Sequence, residues 1–376
     1  MKYKFIKMED ALETLIDYRG KTPKKSNEGI ITLSAKSVKN NYIDYSQCYF
    51  ISEKEYERFM VRGIPHKGDI LITTEAPLGM VARLDREDVA IAQRLLTLRG
   101  KQGVLDNDYL LYYLQSPIGQ AALKARETGT TVTGIKQAEF RKIEIIIPEF
   151  EIQKKIVSIL RAIDDKISLN NHINNNLEQQ VSTLYQSWFE NFDLTDGVCP
   201  ENWSNQELST IAEISNGKRP PIKSESYSKK TPIPIVGAAS VMGFTSEANH
   251  TDKILVTGRV GTHGIVQRFN TPCWTSDNTL IIKSSYYEFI NQILQRIDYS
   301  SMNRGSTQPL ITQGDMKKVS VLVPDGETLA RFETFAGTMM NQWEANKREN
   351  VKLASLRDTL LPKLMSGELD VANIEF

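Results

Sequence analysis

GTTVTGIKQAEFRKIEIIIP, from Gly129 to Pro148, returns as GSTQPLITQGDMKKVSVLVP, from Gly305 to Pro324, at an offset of 176 residues. Gly129/Gly305, Thr131/Thr307, Ile135/Ile311, Gln137/Gln313, Lys142/Lys318 and Pro148/Pro324 are identical. Without a gap the offset continues to Phe189 and Met365, adding Glu151/Glu327, Asn170/Asn346, Asn174/Asn350, Leu177/Leu353, Thr183/Thr359 and Leu184/Leu360. Weaker echoes precede it: GKTP from Gly20 against GKRP from Gly217, ILIT from Ile70 against ILVT from Ile254, and GMVAR from Gly79 against GIVQR from Gly264. Their offsets drift through 197, 184 and 185, as insertions and deletions in loops would produce. The chain therefore reads as two divergent copies of one domain, each followed by a better matched terminal segment. A period this long, occurring twice, excludes a tandem array of short repeats.

Behind each copy lies a heptad seam. Ile156, Leu160, Ile163, Ile167, Asn170, Asn174 and Leu177, continued by Val181, Leu184 and Trp188, follow at alternating steps of four and three. No Gly or Pro interrupts Glu151 to Phe189, so one long helix is expected there. The matching positions are Phe332, Ala336, Met339, Trp343, Asn346, Asn350, Leu353, Arg357 and Leu360, with no Pro before Pro362. A buried Asn weakens a coiled coil but penalises shifted registers, because its amide finds a partner only in the intended alignment. Asn at the same two places in both helices implies that the helices pack on each other. Antiparallel pairing would set the two copies at opposite ends of a rod.

Within each copy, β-rich runs such as DILIT, KIEIII, KILVT, TLIIKSS and VSVLV alternate with Gly, Pro, Asn and Ser loops, and amphipathic stretches begin at Asp106 and Tyr286. The expected class is α+β. The expected division is a first globular domain over 1–150, a helix over 151–190, a second domain over 191–326, and a helix with tail over 327–376.

Lys+Arg and Asp+Glu both number 46, so a nucleic-acid surface must come from local clustering, not net charge. Two loops cluster cations at the same point of each copy. Tyr18–Asn27 holds Arg19, Lys21, Lys24 and Lys25 without an acid, and its counterpart holds Lys218, Arg219, Lys223, Lys229 and Lys230 against Glu225 alone. Cations on turns suit phosphate contact. The loops opening the duplicated stretch add Thr130, Thr131 and Lys136 in one copy, and Arg304, Ser306, Thr307 and Gln308 in the other, all able to donate to phosphates or base edges.

Catalytic signatures are missing. GK at Gly20 and at Gly217 lacks the upstream Gly of a phosphate-binding loop. His66, His172, His250 and His263 show no ligand spacing, and Cys48, Cys199 and Cys273 lie far apart, as free thiols of a reducing cytosol would. Asp69 and Glu75 flank a β run without the Lys of a nuclease site, and read as a surface Asp and a turn Glu. RPPI at Pro220 lacks the Asn or Asp that an amino-methyltransferase sets before Pro-Pro. No metal or cofactor is expected, and no run approaches the roughly 20 apolar residues of a spanning helix. A cytoplasmic protein is expected.

Two stretches, IPEFEIQKKIVSILRAIDDKISLNNHINNNLEQQVSTLYQSWF and NKRENVKLASLRDTLLPKLMSGEL, resemble the central and C-terminal conserved regions of specificity (S) subunits of type I restriction-modification systems. The resemblance covers nearly the whole layout. It implies a non-catalytic subunit whose two target recognition domains each read one half of a split double-stranded DNA sequence, the paired helices fixing the gap. It further implies two S-adenosylmethionine-binding methyltransferase subunits docked on the helices, joined by an ATP-driven translocase and nuclease subunit. The alternatives are a coiled-coil adaptor with globular ends that bind proteins, and a fused restriction-methylation enzyme, which would need catalytic motifs and a longer chain.

Overall fold

The duplicated stretch ends, in both copies, in a strand that closes a sheet with the first strand of its own copy. The computed structural model describes residues 3–129, 133–302, 304 and 310–374. The chain divides into unit 1, residues 1–169 with 349–376, and unit 2, residues 170–348.

Unit 1 carries β1 (Lys4–Lys7), α1 (Met8–Ala11), β2 (Leu12–Asp17), β3 (Ile30–Leu33), β4 (Tyr49–Ile51), α2 (Glu53–Phe59), β5 (Ile70–Thr73), β6 (Val81–Arg83), β7 (Val89–Ile91) and β8 (Leu95–Gly100). There follow α3 (Asn107–Gln115), α4 (Pro117–Lys124), α5 (Gln137–Arg141), β9 (Glu144–Ile147) and the start of α6 (Phe150–Tyr185). Its strands pair as β1-β9, β2-β8-β5-β6 and β4-β3-β7. Every pairing is antiparallel except β3 with β7.

Unit 2 carries β10 (Ser204–Glu207), β11 (Glu213–Asn216), β12 (Ile233–Val236), β13 (Val241–Thr245), β14 (Ile254–Gly258), β15 (Gln267–Phe269), β16 (Trp274–Thr275), β17 (Thr279–Lys283), α7 (Tyr287–Arg296), α8 (Gln313–Lys317), β18 (Ser320–Val323) and the start of α9 (Gly326–Ser366). The pairings are β10-β18, β11-β17-β14-β15 and β13-β12-β16, with β12 and β16 parallel. Strand for strand, this repeats unit 1. Duplication thus extends through the whole α+β domain, including short strands whose sequences have lost their likeness. Among the described residues α4 has no counterpart after α7.

Local sequence explains the central elements. ILIT in β5 and ILVTG in β14 are apolar-rich runs, each flanked by strands on both edges and buried throughout, as strands covered on both faces should be. Asp106 caps α3 by accepting from the N–H groups of Asp108 (2.9 Å) and Tyr109 (3.0 Å). α7 has no such cap of its own. Glu333 of α9 supplies one, accepting from the N–H groups of Glu288 (3.1 Å) and Phe289 (2.8 Å).

The echo GMVAR/GIVQR ends in an Arg with the same partner in each copy. Arg83 pairs with Asp108 at the second position of α3 (3.3 Å), and Arg268 with Glu288 at the second position of α7 (2.6 Å). Arg161 also reaches Asp108 (3.0 Å), while Lys253 also reaches Glu288 (3.3 Å). Asp69, read from sequence as a surface acid, is buried. Arg99 grips both its oxygens (2.7 and 2.8 Å), which is what makes burial of the charge tolerable.

The core of unit 1 joins Tyr109 and Leu110 of α3 to Ile156 and Leu160 of α6 and to Leu361, Leu364 and Met365 of α9. That of unit 2 is aromatic, with Tyr185, Trp188, Phe189, Phe289 and Phe332 in mutual ring contact. Two helix ends carry features that the heptad pattern does not specify. α6 finishes in a π-helical turn, Gln186–Glu190, whose extra residue per turn buries Trp188 and Phe189 in succession where the heptad placed Trp188 alone. α9 runs past Pro362 to Ser366. The missing N–H and the ring cost helix stability, and burial of Leu361, Leu364 and Met365 offsets that cost. Among the described residues no helix is long and apolar enough to cross a membrane.

Candidate nucleic-acid interface

The basic loops lie outside the strands, and Arg19, Lys21, Lys24, Lys25, Lys218, Arg219, Lys223, Lys229 and Lys230 are all exposed. In unit 1 the loop from Tyr18 is tied down by its neutral atoms. The Tyr18 hydroxyl donates to Gly63 O (3.0 Å), the Arg19 N–H to Asp17 (2.7 Å) and the Lys24 N–H to Glu55 (2.9 Å). Lys25 sits over the Tyr49 ring, 4.7 Å from its centre. In unit 2 the Lys218 N–H donates to Thr275 O (2.9 Å), and the Trp274 indole donates to Lys218 O (2.8 Å).

The duplicated stretch enters beside the same strand ends. Ile135 N–H donates to Thr74 O (2.9 Å), and Thr74 N–H in turn to Arg94 O (3.0 Å). In unit 2, Ile311 N–H donates to Arg259 O (3.0 Å), and Arg259 N–H to Asn278 O (2.8 Å). Each unit thereby gathers the end of its central strand, the duplicated loop and one further turn, which joins β7 to β8 or β16 to β17. In unit 1 a cleft of about 420 Å³ opens at this turn, lined among others by Thr22, Lys25, Lys36, Gln47, Gln93 and Arg94.

Not every expected residue joins. Thr130, Thr131, Ser306, Thr307 and Gln308 lie outside the described residues. Lys136 is exposed just before α5. Arg304 is ion-paired to Asp315, the carboxylate of the α8 capping box, which the Thr312 hydroxyl and N–H and this Arg together hold below the usual carboxylate range. Lys229 and Lys230 occupy a tight turn between Ser228 and Thr231. Lys36, Gln47, Gln93 and Arg94 were missed because a search for recurrence finds only what both copies share.

The residues expected along the helix seam differ in burial. Ile156, Leu160, Ile163, Asn170, Asn174 and Asn346 are buried, and Ile167, Leu177, Met339, Trp343, Asn350 and Leu353 are half-buried. In unit 2 the Asn346 amide donates to the Asn174 side-chain oxygen (2.9 Å), and the Asn174 amide to Trp343 O (3.3 Å). In unit 1 Arg357 pairs with Asp164 (2.9 Å), which also accepts from the Tyr112 hydroxyl of α3 (2.8 Å), and Lys166 pairs with Glu349 (3.3 Å). In both units partner numbers fall on one helix as they rise on the other, so the pairing is antiparallel.

Two copies of an α+β domain, each ringing a polar turn with cationic loops and each leading into one arm of an antiparallel helix pair, define a duplicated recognition module. Residues 2–179 and 200–341 match the family model of the type I restriction modification DNA specificity domain, and the chain belongs to that family. It is similar to the specificity subunit of the type I restriction enzyme MjaIX of Methanocaldococcus jannaschii, 25% identical over 362 residues that cover 86% of this chain and 82% of the relative. It is also similar to that of HindI of Haemophilus influenzae, 21% identical, covering 81% and 87%. The crystal structure of the S subunit from M. genitalium shares the fold, with a TM-score of 0.63 at 17% identity over 97% of this chain and 96% of that one. The chain is thus a type I DNA-specificity subunit with DNA recognition domains, a part of a larger complex and not an enzyme.

Proposed function

We propose that each unit's α+β domain reads one half of a split duplex target, and that the paired helices set the length of the unread gap. The observation that carries this reading is the Asn174–Asn346 bond. A register-locking amide pair in a helix seam suits a part that must hold one fixed length. The functional segments are then 1–150 and 191–326 for recognition, and 151–190 with 327–376 for spacing and docking. Two methyltransferase subunits dock on the helices, where Phe335, Val351 and Leu356 remain exposed, and a translocase and nuclease subunit joins through that complex. The chain needs no cofactor of its own, and a cytoplasmic location follows from its DNA.

The test is to map methylated bases in cells carrying the chain with its methyltransferase partners. A two-part motif with a constant gap is expected. Inserting one heptad after Asn174 and one before Asn346 lengthens each helix by about 10 Å, so the gap should grow by about three base pairs with both half-motifs intact. A contiguous motif, or a gap indifferent to the insertion, overturns the reading.

A further inference from the structure

The turns that join β7 to β8 and β16 to β17 are anchored alike and armed differently. Before each turn, the N–H of Ala92 donates to Leu33 O (2.8 Å), and that of Ser276 to Val236 O (3.0 Å). After it, Arg94 O accepts from Thr74 and Asn278 O from Arg259. These four bonds make Gln93-Arg94 and Asp277-Asn278 equivalent positions. In both copies the flanking residues are buried, Ala92 and Leu95 in one and Ser276 and Thr279 in the other, while Arg94, Asp277 and Asn278 are exposed and Gln93 half-buried. The flanking hydrogen bonds are held constant while the side chains between them change.

Resting on the split-target reading, we propose that these two dipeptides are specificity-determining residues, each reading base edges in its own half-site. Side chains in the two turns match the donor and acceptor patterns of different bases: Arg94 suits the O6 and N7 of guanine, Gln93 and Asn278 the N6 and N7 of adenine, and Asp277 the amino group of cytosine. A surface that only gripped phosphate would have no use for Asp277. Its carboxylate stands two residues beyond Thr275, whose carbonyl bonds the cationic loop at Lys218. Repulsion from phosphates makes an acid there a cost unless it accepts from a base.

Arg94 shows two further signs of a placed side chain. It holds φ of +72°, a region non-glycine residues avoid and where strain gathers at ligand-gripping sites. Its Nε lies 2.7 Å from Glu75, an ion pair that orients the planar guanidinium fork. Glu75 is then a positioning residue, itself bridged to Gly134 of the duplicated loop. Lys25 and Lys36, in the same cleft, supply phosphate contacts beside it.

The experiment is the methylation map of the full complex with Arg94→Asn and, separately, Asn278→Ala. Asn tolerates the left-handed backbone, and Arg94→Gly serves should Arg94→Asn fold poorly. Arg94→Asn should lower the preference at one base pair of one half-motif by about tenfold or more, with the other half unchanged, and Asn278→Ala should do the same in the opposite half. Glu75→Gln should weaken the same base preference as Arg94→Asn to a smaller degree. Unchanged motifs, or a loss spread evenly over all sites, overturn the assignment while leaving the split-target reading standing. A wild-type complex without a two-part motif sinks that reading before any variant is made, and this assignment with it.

Discussion

Arg268 and Arg83 stand at equivalent positions with equivalent partners, yet their surroundings give them different weights. Glu288 and Arg268 are both nearly inaccessible, at 1% and 9% side-chain exposure, whereas Arg83 is 41% exposed, although each acid has a second cation, Lys253 or Arg161, within reach. Removing one partner of a buried pair costs up to about 3–5 kcal/mol, and Lys253 only partly compensates Glu288 from its half-exposed position. Arg268→Met should therefore destabilise unit 2 by about that amount in denaturant unfolding, and Arg83→Met should cost unit 1 clearly less. Glu333 brings a pH dependence. Burial outweighs its two N–H bonds and raises its carboxyl to about 7 from an ordinary 4.5. The unfolded chain releases this proton near 4.5 and the folded one only near 7, so the folded state binds more protons between them and its stability falls as pH rises through that window. Glu333→Gln should flatten this slope, as unfolding midpoints measured across the same window would register. The Arg of the GMVAR/GIVQR echo could be read from recurrence, but its acidic partner could not, because Asp in one copy and Glu in the other share charge and not identity.

Among the elements, α6 and α9 were legible from sequence alone, since a heptad pattern sustained from Ile156 to Trp188 has few competing explanations. What periodicity could not supply was their ends. The π-helical turn at Gln186–Glu190 and the passage through Pro362 are decided by aromatic and aliphatic burial in each unit's core, a tertiary effect that local pattern does not carry. The seam makes a testable pair. Asn346→Val strands the Asn174 side-chain oxygen in a buried setting and should cost about 1–3 kcal/mol, while the double change Asn174→Val with Asn346→Val should recover most of that loss, as a denaturation cycle would measure. The basic loops were legible as loops because Gly and Pro punctuate them. Replacing Arg19, Lys21, Lys24 and Lys25 by Ser should weaken DNA binding evenly across sequences and flatten its salt dependence, by up to about 0.9 in the log–log slope for each phosphate no longer neutralised. A change of motif in place of a uniform loss would contradict that assignment.

Across the whole chain, recurrence in sequence revealed the duplication but understated it. Identities cluster in the terminal segments, where helices and the duplicated stretch constrain them, whereas strand order and the parallel β3–β7 and β12–β16 pairings persist in regions with no detectable likeness. Backbone pairing tolerates any side chain that fits a half-buried surface, so topology outlasts sequence. The same tolerance hid the turns at Gln93-Arg94 and Asp277-Asn278, whose value lies in being unlike.

Unit 2 is one uninterrupted segment, whereas unit 1 is assembled from an opening segment and a closing one, with Leu361, Leu364 and Met365 in the same core as Met8 and Ala11. During synthesis the ribosome therefore delivers everything unit 2 needs while unit 1 still lacks the helix that completes it. The first half to be translated is the last to finish folding. A message broken upstream of the codons for those final core residues would yield a polypeptide with one finished half and one exposed to proteases.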